Sequence, residues 1–309
     1  MAFKIAVVGY GSAGQQHVEV LRDLGGAELY CVVESNLEVD TGELPRQYSL
    51  QDVLADQKVD AVALCLPPGG RSNLAHEALA AGKSVLLEKP PCRTEAELDL
   101  LLNATQVANR SIGIMFQHRY RLFDEILNFT WDESTTAILE VSRPRNPERY
   151  FTSWRQDPML SIGGITAHLG VHYMDLACLL LGLPKEFQQI GRRDFMPGID
   201  MRVAGAVQFS GGSTMAFVVT GEVESRSERL NILGRDIRLT IQDGSITIEK
   251  GGELRHYSSE PTSLMRKRLY EDFVSAAINQ EQPKRCSLES GRGVTRLLEN
   301  IAAKAVKND

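Results

Sequence analysis

The segment Gly9-Tyr10-Gly11-Ser12-Ala13-Gly14 constrains what this chain can fold into more than any other. It directly follows the apolar run Lys4 to Val8 and opens a helical pattern, Gln15 to Leu24. Glycines at that spacing permit a tight turn, let a ligand approach the backbone, and let helix pack closely on strand. The loop then presents backbone N–H groups and the positive end of a helix dipole to an anion. Glu34 falls 20 residues after Gly14, at the end of a second apolar run, Glu28 to Glu34. The pattern reads as a dinucleotide site, with Gly9, Tyr10, Gly11, Ser12, Ala13 and Gly14 at the pyrophosphate and Glu34 and Ser35 at the adenosine ribose. The competing reading is that the glycines only make a turn. A dianionic 2′-phosphate beside Glu34 would meet repulsion of ~1–4 kcal/mol per charge pair, so NAD is expected over NADP. Alternatively, Glu34 faces solvent and the following loop sets the preference.

The alternation continues through a helical pattern at Ser49 to Asp56, an apolar run at Ala61 to Leu66, a helical pattern at Ser72 to Ala81, and the run Ser84 to Leu87. Thr94-Glu95-Ala96-Glu97 is a capping box that opens a helix to about Val107, and Ser111 to Phe116 reads as the next strand. Such βαβ units predict an α/β, doubly wound Rossmann domain on a parallel sheet. From Met201 to Tyr257 strand-like runs follow one another: Val203 to Phe209, Thr214 to Thr220, Leu230 to Leu233, Ile237 to Ile241 and Ser245 to Glu249. Gly211-Gly212 and Asp243-Gly244 mark turns between them. Helical patterns flank this region at Thr166 to Leu181, Ser263 to Asn279 and Gly293 to Ala305. At roughly 150 residues per domain the 309 residues divide into two. The expected division is a dinucleotide-binding Rossmann domain over 1–118 and, over 119–309, an α+β domain with an open, predominantly antiparallel sheet for substrate binding and oligomerisation.

Charge excludes some partners. Thirty-four Lys and Arg against 40 Asp and Glu leave a net charge of −6, which favours neither nucleic acid nor an anionic membrane surface. The five cysteines are odd in number and dispersed, without a CxxC pair, so a reducing compartment is expected. The first residues lack a secretory pattern, and the apolar run Leu176 to Leu183 is too short to span a bilayer, so the expected location is cytoplasmic.

Glu88-Lys89-Pro90 follows Ser84 to Leu87 at the carboxyl end of a parallel strand, where open α/β sheets bind their ligands. A lysine there can hydrogen-bond to a reacting hydroxyl, although spacing alone fits a surface residue equally well. Leu66, Pro67, Glu88, Lys89 and Gln117 complete the expected cofactor contacts. His168, His172 and Asp175 stand at i, i+4 and i+7 after the Gly163-Gly164 breaker, on one expected helix face. HxxxH without an intervening Glu is not the zincin motif, and no metal is expected. The bland reading makes both histidines structural, beside the apolar stripe Ile165, Leu169, Tyr173, Leu176 and Leu180. Arg119, Arg121, Arg143, Arg145, Arg149 and Arg155 form a local excess suited to a carboxylate or phosphate, unless they are solvated or paired with Glu140, Glu148 and Asp157.

Three segments together carry a resemblance: the glycine motif, Ala80 to Pro90, and Gly163-Gly164-Ile165-Thr166-Ala167-His168-Leu169-Gly170-Val171-His172-Tyr173-Met174-Asp175. The chain resembles the Gfo/Idh/MocA oxidoreductases over nearly its whole length. The resemblance implies an amino-terminal NAD(P) domain, a carboxy-terminal domain with an open sheet, a site between them, and a homodimer or homotetramer built through that sheet. It also implies that Lys89 and His172 contact the substrate hydroxyl. Two positions depart from the family pattern: His168 stands where Asp is usual, and Arg71 where many members carry His. Arg149 to Arg155 ahead of Gly163-Gly164, with Gln117 and Arg119, is similar to the branch that oxidises C3 of UDP-N-acetylglucosaminuronate.

The expected function is therefore NAD-dependent oxidation of a secondary alcohol of a sugar or nucleotide sugar, in particular a nucleotide-linked uronic acid. His172 is the expected base and Lys89 the hydrogen-bond partner of the same oxygen, with the reverse assignment open. His168 orients the substrate or shares the proton, while Gln117, Arg119, Tyr150, Trp154 and Arg155 serve the substrate and nicotinamide region. Competing readings are an inositol or other free-sugar dehydrogenase, a ketosugar or imine reductase, and a dinucleotide-binding regulator without catalysis.

Overall fold

A computed structural model of the chain describes residues 2–305. Six strands open the fold: β1 (Phe3–Val8), β2 (Ala27–Val33), β3 (Arg46–Gln47), β4 (Ala61–Leu64), β5 (Ser84–Leu87) and β6 (Ile112–Ile114). Between them lie α1 (Ser12–Arg22), α2 (Leu50–Ala55), α3 (Arg71–Ala80) and α4 (Glu95–Ala108). The sheet is parallel, ordered β3-β2-β1-β4-β5-β6. Every residue of β4, β5 and β6 is buried, which is why these strands are unbroken apolar runs rather than alternating ones. The chain leaves β1 for β2 on one side and later returns to β4 on the other, so a crevice opens at the carboxyl ends of β1 and β4.

The following segment carries α5 (Asp124–Leu127), β7 (Thr136–Ser142), α6 (Pro147–Tyr150) and α7 (Pro158–Ser161), then a π-helical turn, Thr166–Gly170, that runs into α8 (Val171–Leu181). Seven strands follow, β8 (Pro184–Met196), β9 (Ile199–Phe209), β10 (Thr214–Thr220), β11 (Ser227–Leu233), β12 (Ile237–Gln242), β13 (Ser245–Lys250) and β14 (Glu253–Tyr257), and then α9 (Thr262–Asn279) and α10 (Arg292–Ala305). The second sheet is ordered β14-β13-β12-β11-β7-β10-β9-β8, antiparallel throughout except for the parallel pair β7 and β10. The expected strands correspond to β9 through β13. The expected single helix from Thr166 to Leu181 is instead a π turn joined to an α-helix.

Contacts divide the chain into two discontinuous units. The first comprises residues up to Cys92, Ala96–Tyr120 and Thr262–Ser290, and the second comprises Arg93–Glu95, Arg121–Pro261 and the residues from Gly291 onward. A cut at residue 118 would assign α9 to the second domain, yet Met265, Leu269, Tyr270, Phe273 and Val274 pack in one cluster with Ile5, Val7, Val18, Leu86 and Met115. The stretch Pro158–Leu181 has the length and apolarity of a membrane span, but 78% of its most apolar window is buried inside the protein. All five cysteines are free thiols.

Candidate functional site

In the first unit the glycine loop follows β1 at the crevice. Gly9 has φ +90°, and a Cβ there would lie 2.9 Å from the Cys65 carbonyl oxygen. A Cβ on Gly14 would sit 2.0 Å from the Gly9 carbonyl oxygen, so only glycine lets α1 pack this tightly on the strand. A Cβ on Gly11 would meet nothing within 4 Å, which leaves open space in front of the helix. No side chain caps α1 and no acidic residue occupies its first turn. These features fit a bound pyrophosphate, which would take up the N–H groups that begin the helix. Glu34 leaves the end of β2 and turns back onto the loop, where its carboxylate accepts from the Tyr10 N–H at 3.0 Å and the Asn36 N–H at 2.9 Å. Arg46 orders the intervening turn by donating to the carbonyls of Glu34, Asn36 and Val39. Ser35 is exposed beside it.

Leu66 and Pro67 end β4 at the same crevice, and Glu88 and Lys89 end β5, each partly buried. Arg71, 2% exposed, clamps these two loops: its guanidinium donates to the carbonyls of Leu66, Glu88 and Pro90. Burial brings Arg71 down to about 10, against the opposing pull of Glu88. The Lys89–Pro90 peptide is cis, and the Lys89 N–H donates to Glu88 Oε2 at 3.1 Å. Gln117 is buried, and its Oε1 meets no hydrogen-bond partner. Arg119 is fully buried, with its guanidinium donating to the Arg285 carbonyl and to the hydroxyl and carbonyl of Ser290. That charge braces the 285–290 loop inside the first unit and is not presented to a ligand.

In the second unit the Gly163-Gly164 pair has a steric cause. A Cβ on Gly164 would lie 2.0 Å from the Asp200 carbonyl oxygen, because β9 passes directly against it. Asp200, 2% exposed, caps the helix that follows by accepting from Gly164 N–H, Thr166 N–H and Thr166 Oγ at 2.9, 2.9 and 2.6 Å. The π turn then carries His168 into a buried position, with Nε2 3.3 Å from the Ser161 carbonyl. A carbonyl can only accept, so that nitrogen bears the proton. Around the imidazole stand Trp154, Tyr150 and Phe151, with ring centroids at 5.4, 6.0 and 6.3 Å. Arg155 lies over both Trp154 and Tyr150, and Arg145 over Tyr150, at 4.7, 5.2 and 5.2 Å. His172, partly buried, opens α8. His168, His172 and Asp175 do not gather as ligands, and among the described residues no group of three or more metal-binding side chains occurs.

The comparisons with known proteins agree with this geometry. Residues 3–116 match the Gfo/Idh/MocA family described as "Oxidoreductase family, NAD-binding Rossmann fold", and residues 133–240 match the Gfo/Idh/MocA C-terminal domain. The chain belongs to the Gfo/Idh/MocA oxidoreductase family. This member is an oxidoreductase with an NAD-binding Rossmann domain. It is 23% identical over 319 aligned residues to D-glucoside 3-dehydrogenase of Escherichia coli K12, covering 91% of this chain and 88% of that one. Levoglucosan dehydrogenase, solved with NADH and levoglucosan, superposes with TM-score 0.85 at 15% identity, covering 100% and 98% of the two chains. The WlbA dehydrogenase from Bordetella pertussis, solved with NADH and UDP-GlcNAcA, superposes with TM-score 0.80 at 19% identity, covering 100% and 96%.

In this Gfo/Idh/MocA member the expected residues therefore fall into two clusters. The glycine loop, Glu34, Leu66, Pro67, Glu88 and Lys89 line the ends of the parallel strands, whereas Tyr150, Trp154 and Arg155 surround His168 in the other unit. Arg143 pairs with Glu228 at 2.9 Å rather than with the neighbouring acids of its own segment. Sequence reading missed His17, Tyr270, Asp200 and the clamping role of Arg71. Only His17 carried a local signal, three residues after Gly14 on α1; the others act through contacts remote in sequence.

Proposed function

We propose that this Gfo/Idh/MocA oxidoreductase uses NAD to oxidise a secondary alcohol on the sugar ring of an anionic nucleotide sugar, in particular a UDP-linked N-acetylglucosaminuronate. The observation that supports it best is the cluster of Arg145, Arg155, Tyr150 and Trp154 about His168. Guanidinium groups stacked on aromatic faces keep their N–H edges available for carboxylate or phosphate oxygens. The WlbA dehydrogenase, solved with UDP-GlcNAcA, shares the fold. NAD, when bound, supplies the hydride acceptor. His172 takes the hydroxyl proton, and Lys89 hydrogen-bonds to the same oxygen and stabilises the negative charge that develops there. His168, whose Nε2 is tied to the Ser161 carbonyl, orients the substrate. Glu34 sets the preference for NAD over NADP. The active protein is a homodimer or homotetramer associated through the second sheet.

The names of D-glucoside 3-dehydrogenase and levoglucosan dehydrogenase support a second reading, in which the substrate is a sugar without a nucleotide. Absorbance of reduced nicotinamide decides between them when the protein and NAD are offered UDP-N-acetylglucosaminuronate, the same uronate without UDP, inositol and glucose. The nucleotide reading expects a signal confined to the UDP sugar. Equal rates with and without UDP would overturn it.

A further inference from the structure

A buried titratable chain inside the first unit has no place in the reaction described above. His17, on α1, is completely buried. Its Nδ1 lies 2.6 Å from the Tyr270 hydroxyl, and its Nε2 lies 3.2 Å from Glu88 Oε1. The other Glu88 oxygen accepts the backbone N–H of Lys89 at 3.1 Å. A carboxylate can only accept, so His17 Nε2 carries a proton, and in the neutral ring Nδ1 is left to accept from the Tyr270 hydroxyl. The order of donation is then Tyr270 to His17 to Glu88, with Lys89 N–H closing the far side of the carboxylate. Arg266, one turn before Tyr270 on α9, binds Gln16 Oε1 at 2.6 Å and ties the same two helices beside the chain.

The geometry points to a positioning device: we propose that His17 and Tyr270 hold the Glu88 carboxylate, and through it the peptide of Lys89, in the orientation the Lys89 amine needs. Neither residue touches the reacting atoms. The chain makes α9, which returns to the first unit only after the second has been traversed, a support of the loop that carries Lys89. It also joins that loop to the helix whose amino end receives the pyrophosphate. Arg71 fixes the carbonyls of Glu88 and Pro90 from the opposite side, so the Lys89 segment is held through both its carbonyls and its N–H. A hydrogen-bonding role, as opposed to proton conduction, makes a specific demand. A glutamine amide both donates and accepts, so it can replace the imidazole; leucine cannot.

The inference rests on Lys89 serving the reacting hydroxyl, so the test has one arm that needs no turnover. Wild type, His17→Gln, His17→Leu and Tyr270→Phe are compared for thermal midpoint, NADH binding, turnover of UDP-N-acetylglucosaminuronate, and competitive acylation of Lys89 by acetic anhydride, with exposed Lys58 as internal reference. His17→Leu is expected to lower kcat roughly twentyfold, Tyr270→Phe roughly fivefold, and His17→Gln less than about threefold, with KM for NAD within about twofold throughout. Lys89 acylation relative to Lys58 should change at least about twofold in His17→Leu and stay at the wild-type value in His17→Gln. Altered acylation with unaltered turnover would uphold the positioning chain and overturn the role of Lys89. Folded His17→Leu and Tyr270→Phe proteins that keep wild-type acylation and kcat would overturn the chain itself. If His17→Leu fails to fold, Tyr270→Phe and His17→Gln carry the same decision, because both keep the buried volume.

Discussion

Burial pushes the Glu88 carboxyl up, but the hydrogen bond from His17 and the positive charges of Lys89 and Arg71 outweigh it and bring the group down to about 2. A carboxyl depressed on folding stabilises the protein above its unfolded value of about 4.3, and that contribution is lost as pH falls toward its folded value. The stability gap between wild type and Glu88→Gln should therefore be constant at neutral pH and shrink by about 3 kcal/mol between about pH 4.3 and 2, measured by urea unfolding. Glu34 gives the other residue-scale prediction. Glu34→Ser removes the charge that faces a 2′-phosphate and should raise the ratio of NADP to NAD kcat/KM at least roughly tenfold, since ~1–4 kcal/mol of repulsion is relieved per charge pair. An unchanged ratio would show that the 35–39 turn sets the preference instead. At this scale the glycine loop, the place of Glu34 beside it and the place of Lys89 after β5 were legible, because strand and turn patterns are local. His17 and Arg71 were not, since their partners lie 253 and 17 residues away.

At the scale of elements, the segment bearing both histidines depends on the approach of β9 to Gly163-Gly164. Gly164→Ala would force its Cβ onto the Asp200 backbone and should cost about 2 kcal/mol or more, because a strand paired on both sides cannot move away. Asp200→Ala leaves the donors at Gly164 and Thr166 unsatisfied and should likewise cost at least about 2 kcal/mol. Thermal unfolding checks both, and in both the turnover should fall further than the loss of folded protein explains. Sequence periodicity found β9 to β13 but missed β7, which alternates exposed and buried residues over Thr136–Ser142 at the centre of the sheet. It also missed β8, whose Gln188, Gln189, Arg192 and Arg193 look like a loop. That strand pairs with β9 alone, as an edge, so pairing rather than its own apolar pattern makes it a strand.

For the whole molecule, the discontinuous first unit makes a definite prediction. Met265, Leu269, Tyr270 and Phe273 of α9 are each fully buried. At roughly 1.5–3 kcal/mol per large apolar side chain they contribute about 6–12 kcal/mol, which is comparable to the entire stability of a typical domain, about 5–15 kcal/mol. A fragment ending at residue 120 should therefore fail to fold or bind NADH, and one with residues 262–290 joined to it should recover both, read by circular dichroism and NADH fluorescence. Binding by the shorter fragment would refute the estimate. Local pattern was enough to identify a parallel α/β unit, its dinucleotide turn and a following sheet, because strand and helix periodicity and glycine's conformational freedom act over a few residues. Tertiary structure alone decided that α9 belongs to the first unit, that Arg119 is a brace, and that Tyr150, Trp154 and Arg155 surround His168. Those outcomes depend on which buried polar group finds which distant partner, and no short-range pattern encodes that choice.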